Sequence, residues 1–168
     1  VWAAMLALAW TGWRAWRSAD ADLARSRVGR RWRIAAFALG TIVLWAALDW
    51  PIGPLAAGYL ASVHMAQFLI IALIVPPALL FGLPPADRPP NSRPSLRAGL
   101  RLVTHPLVAI LLFNLVVVAT HLPEVVDRSM RTQLGSFAID VSWLLAGLIL
   151  WWPVIRRFPE RPGFSRPV

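Results

Sequence analysis

The sequence holds no cysteine. That removes disulfide frameworks, thiolate metal sites and thiol chemistry together, so any metal has to be held by histidine, methionine or carboxylate. Lysine is absent too, and the formal net charge of +9 rests on arginine alone. Charged residues make up only 15% of the chain against 58% hydrophobic, with a mean hydropathy of +0.60. A soluble domain of this size does not carry so little charge, and a membrane class follows. Glycine-rich phosphate loops, paired carboxylates on one helix, a nucleophile elbow and the H-E-x-x-H pattern are all missing. Catalysis is therefore not indicated, and the chain is expected not to be an enzyme. The arginines stand between apolar runs and not along one face, which argues against nucleic acid as a partner.

What is present is a series of long apolar runs. Crossing a hydrocarbon core of about 30 Å takes roughly 20 helical residues. Five segments come near this: about 1–14, 33–50, 55–82, 102–121 and 134–155. They predict an all-α polytopic transmembrane helix bundle of about five spans, forming a single domain over 1–168, with membrane lipid as its solvent. Residues 1–13 read as a short or truncated first span. Trp13, Trp16, Trp32, Trp50, Trp151 and Trp152 lie near the ends of these runs, where an amphipathic ring belongs. Pro76-Pro77 predicts a kink in the third span, and the connection from Leu83 to Pro94, with five prolines, reads as a loop.

Arginine placement sets the orientation, because basic residues in short loops stay on the cytoplasmic side. The first connection holds Arg14, Arg17, Arg25, Arg27, Arg30, Arg31 and Arg33. The third holds Arg88, Arg93, Arg97 and Arg101, and the tail holds Arg156, Arg157, Arg161 and Arg166. Only Arg128 and Arg131 fall elsewhere, beside Glu124 and Asp127. The N-terminus is expected outside and the C-terminus in the cytoplasm.

Polar groups within spans cost free energy, so the few that interrupt these runs are informative. His64, Met65 and Gln67 lie in the third span, Asn114 and His121 in the fourth, and Asp140 in the fifth, while Asp49 ends the second. His105 stands one turn from Arg101, near the cytoplasmic surface. Helical spacing puts His64, Gln67 and Phe68 on one face, Asn114 and His121 on another, and Ser136, Asp140 and Gly147 on a third. These three faces, all reaching into the outer half, are candidates to converge on one interior. Met5, Met65 and Met130 also fall toward the outer side. Imidazole with thioether suits Cu(I), and an added carboxylate extends the set to Cu(II) or zinc. Interior hydrogen bonding without metal accounts for the same residues about equally well.

Several stretches together resemble one family. They are Ser62-Val63-His64-Met65-Ala66-Gln67-Phe68, Val75-Pro76-Pro77-Ala78-Leu79-Leu80-Phe81-Gly82-Leu83-Pro84, Thr104-His105-Pro106-Leu107-Val108-Ala109, Thr120-His121-Leu122-Pro123 and Leu144-Leu145-Ala146-Gly147-Leu148-Ile149-Leu150-Trp151-Trp152-Pro153-Val154. In this order they are similar to the CtaG-type cytochrome c oxidase assembly factors, the multi-helix membrane family linked to caa-type oxidases. The resemblance runs from about Asp49 to Pro153. It implies a multi-pass protein of the bacterial plasma (inner) membrane that works with cytochrome c oxidase subunits and assists copper handling or insertion. His64, His121, Met65 and Asp140 are the metal-ligand candidates on this reading, with Gln67 and Asn114 as hydrogen-bonding support. Two departures stand out. The family's usual His-Met-x-Gln-His ends here in Phe68, and its usual Glu-His before the last helix is Ile139-Asp140. The family's first helices also look absent. A metal-free membrane scaffold, a b-type haem protein using His64 and His121, and a small transporter using His64 and Asp140 are the alternatives.

Overall fold

The computed structural model describes residues 1–18, 27–49, 51–58, 61–84 and 94–156. Every described element is helical: α1 (Trp2–Ser18), α2 (Arg27–Leu48), α3 (Ile52–Gly58), α4 (Ala61–Leu69), a π-helical turn (Ile70–Ile74), α5 (Val75–Gly82), α6 (Pro94–Val103), α7 (Pro106–Thr120), α8 (Pro123–Ser129) and α9 (Gln133–Ile155). The all-α expectation holds. Trp50, Arg25, most of the proline-rich connection and the tail arginines beyond Arg156 lie outside the described residues.

The span count differs from the five expected. Among the described residues, three helical stretches are long and apolar enough to cross a membrane: Gly29–Leu48, Ala61–Gly82 and Gln133–Ile155. A fourth is reached only if α7 and α8, bent by 69° at their junction, are counted as one broken span. Helix α1 is formed, but its 17 residues reach only about 25 Å. The run 102–121 does not begin as one helix because Pro106 forces its predecessor out of the helical region. His105 has ψ 132°, so α6 stops and α7 restarts with Pro106 in its first turn. Leu122 does the same before Pro123, with ψ 133°. The run 55–82 is divided as well, its first residues belonging to the separate α3.

Pro76-Pro77 does not break the third span. Each proline lacks the N–H that would bond back to the preceding turn, here to the carbonyls of Ala72 and Leu73. The helix widens just before them instead, and Val75 N–H reaches back five residues to the Ile70 carbonyl. Ala61–Gly82 then continues as one span, half of it buried against 17% and 22% for the other two, which makes it the central helix.

Around this centre the core is built from Leu44 and Ala47 of α2, Phe68 of α4, Ile71 and Ala72 of the π-helical turn, Val75 and Leu79 of α5, and Ile139 and Trp143 of α9. Small residues permit the closest approaches. A Cβ at Gly147 would run into the Ala72 carbonyl and Pro76, so α9 lies directly on the backbone that the prolines leave open. Gly40 faces Ala78 and Leu79, and Gly82 faces the backbone of Phe37, which seats α2 against α5. The outer faces carry Leu39, Ile42, Leu107, Leu111, Leu115 and Leu145, all exposed. A soluble protein would not leave such a surface open, whereas hydrocarbon accommodates it.

Helix polarity separates two ends of the bundle. Arg33 lies early in α2 and Asp49 follows its end; Asp140 lies early in α9 and Arg156 follows its end; His64 lies early in α4 and Gly82 closes α5. At the arginine end, Trp16 Nε1 donates to the Gly82 carbonyl at 3.1 Å, Arg33 to Phe81 and Leu83, and Arg156 to Pro84. The carboxylates and His64 sit at the other end.

A candidate cavity at the carboxylate end

The polar residues of the first and third predicted faces meet. Asp49, His64, Gln67, Met130, Ser136 and Asp140 line one open cavity of about 250 Å³. Their positions follow from local structure. Asp49 terminates α2, and its carbonyl accepts from Gly53 N–H at 2.8 Å, so the chain turns into α3 beside it. Gln67 is buried and donates its side-chain amide to the Ala47 carbonyl at 3.0 Å, which fixes α4 against α2. Ser136 and Asp140 stand one turn apart near the start of α9. That helix is begun by the Thr132 side chain accepting from Gly135 N–H at 3.1 Å.

The second predicted face does not join them. Asn114 is exposed on the outer side of α7 and donates to the Ile110 carbonyl one turn back. His121, at the end of α7, does not line the cavity; its Nδ1 bonds the Val117 carbonyl at 2.7 Å. A carbonyl only accepts, so the proton is on Nδ1 and, in the neutral ring, Nε2 is left with the lone pair. Met65 is 45% exposed and does not line the cavity, and Met5 is buried in the core. Gly147 packs helices and His105 is exposed where α6 gives way to α7, both away from the cavity.

Between the two groups stands Trp143, 1% exposed, which the polar-residue reading passed over. Its indole meets His64 edge-on at 5.4 Å between centroids, stacks against His121 at 6.0 Å, and meets Phe68 at 5.1 Å. Its N–H donates to Thr120 Oγ1 at 2.9 Å, and that hydroxyl donates in turn to the Val116 carbonyl. Spacing gave a signal for it: Trp143 follows Asp140 by three residues and precedes Gly147 by four, on the same face of α9.

Chemically, the cavity offers an imidazole, two carboxylates, the carboxamides of Gln67 and Gln133, a hydroxyl and a thioether. Among the described residues no three His, Asp or Glu side chains are grouped closely enough to enclose a metal ion. The donor types suit a cation held loosely and released, not one locked in a closed cage.

A bundle of apolar helices with a polar cavity at one end and arginines at the other is the arrangement of a helical membrane-type protein. The cytochrome c oxidase caa3 assembly factor family (Caa3_CtaG) matches residues 7–168, and the chain belongs to that family. No curated protein and no solved structure matches it.

Proposed function

We propose that this chain assists maturation of a caa-type cytochrome c oxidase in the bacterial plasma membrane, without catalysing a reaction, and that its polar cavity handles copper on the outer side. Family membership supplies the oxidase. The observation that carries the cavity's part is the convergence of His64 and Asp140, from separate spans, with Asp49 and Met130 on one opening. Copper is cargo on this reading, and a small, open donor set favours transfer over retention. His64 and Asp140 are its principal donors. His121, placed across the Trp143 contact, and the exposed Met65 are the more distant members of the set. The arginine end faces the cytoplasm, as the bias of basic residues favours, which turns the cavity outward.

Metal content of the detergent-purified protein after loading with Cu(I), measured by mass spectrometry, tests the copper assignment. Near one copper per chain is expected, lost in His64→Ala and reduced in Asp140→Asn and His121→Ala. Wild-type protein that takes up no copper would sink the cargo reading. It would favour a metal-free scaffold.

A further inference from the structure

We propose that Arg33 and Arg156 form a binding site for the phosphate of an anionic phospholipid at the end of the bundle opposite the cavity. The inference rests on the membrane orientation given above and adds a ligand that the oxidase role does not require.

The two guanidinium groups come from different spans, α2 and the end of α9, and converge on neighbouring carbonyls at the close of α5. Arg33 Nη1 donates to Phe81 at 3.0 Å and to Leu83 at 3.3 Å, and Arg156 Nη1 donates to Pro84 at 2.6 Å. Both side chains are half-buried. Arg33 lies over the Phe81 ring and Arg156 over the Trp152 ring, which holds the planes in place.

Among the described residues, these contacts leave positive charge unmatched. The carbonyl end of a helix carries only a partial negative charge of roughly half a unit, against two full cations. Neither arginine is paired with a carboxylate among the described residues. Arg156 Nε is enclosed and has no hydrogen-bond partner. Burial, and then the like charge of Arg33, pushes the Arg156 guanidinium below its ordinary range. Among the described residues, the hydrogen bonds of both guanidinium groups run through Nη1. Nη2 of each guanidinium is left to donate to phosphate oxygens, with the rest of the planar group held in place behind it. Trp16 and Trp152 stand beside the pair, as aromatic side chains do at headgroup depth. Basic pockets between spans on the cytoplasmic side are suited to acidic headgroups.

The test uses the full chain reconstituted in vesicles of equal phosphatidylglycerol and phosphatidylcholine. It is then extracted in mild detergent, and native mass spectrometry counts the lipids retained. Wild type is expected to keep phosphatidylglycerol in preference to phosphatidylcholine. Arg33→Gln and Arg156→Gln are each expected to lower that preference about fivefold. Arg128→Gln with Arg131→Gln, at the other end, leaves it unchanged. Arg33→Lys and Arg156→Lys, which keep the charge and lose the planar group, fall in between, so a failure of one variant to fold does not decide the outcome. Excess inorganic phosphate is expected not to strip the lipid; if it does, the site is one for free phosphate and the lipid assignment is overturned. Equal retention of the two lipids by wild type overturns it as well. Resistance of the protein to carbonate extraction separates the possibilities. A chain that is not inserted refutes the membrane reading itself, whereas an inserted chain with no headgroup preference refutes only this site.

Discussion

Phe68 meets the ring of His121 edge-on, with 5.4 Å between centroids. An imidazole at 68 would therefore face His121 across a helix contact and stand one turn from His64. Phe68 instead places at the centre of the aromatic cluster a ring that can only pack.

Phe68→His is accordingly expected to tighten copper binding by roughly tenfold, about 1.4 kcal/mol. The same change buries a polar ring, costing about 1–3 kcal/mol of stability. Competition with a colourimetric Cu(I) chelator checks the first, and unfolding in detergent checks the second. Unchanged or weaker binding by a folded variant would show that the 68 and 121 positions do not share a ligand.

Gly147→Ala is expected to destabilise the bundle by about 1–3 kcal/mol, because the added methyl meets the Ala72 carbonyl and Pro76 and the backbone on both sides is constrained. Gly99→Ala, with nothing near its missing Cβ, is the matched control and should be neutral or slightly stabilising. Thermal unfolding in detergent, followed by tryptophan fluorescence, compares the two.

The hydrogen bond from Trp143 to Thr120 ties α9 to α7 within the cluster. Trp143→Phe and Thr120→Val should each destabilise, and the double variant should show a coupling of about 1 kcal/mol between them. Independent, additive losses would mean that the indole N–H contributes nothing specific.

The sequence made the helical class legible because long apolar runs punctuated by arginine admit little else. It also made half of the site legible. His64 with Gln67 and Ser136 with Asp140 are spaced to share helix faces, and both faces turn inward to the same cavity. The span count was less legible, because hydropathy averages over a break that a single proline enforces. His105 and Leu122 are each driven extended by the residue that follows them. The π-helical turn before Pro76-Pro77 was hidden for a related reason: local rules foresee a missing hydrogen bond but not whether the helix bends or widens to absorb it. The separation of His121 from the cavity depends on Trp143, whose size places it between the polar groups although it carries no charge to attract notice.

The measurement closest to the central claim is terminal-oxidase activity, with the copper content of the oxidase, in membranes of a strain lacking this gene and complemented with variants at equal abundance. Wild type is expected to restore both. His64→Ala with Asp140→Asn is expected to leave both several-fold lower, while Asn114→Leu, on the exposed face of α7, preserves the copper content. Full restoration of activity and copper by the His64/Asp140 double variant would contradict a role for this cavity in oxidase maturation.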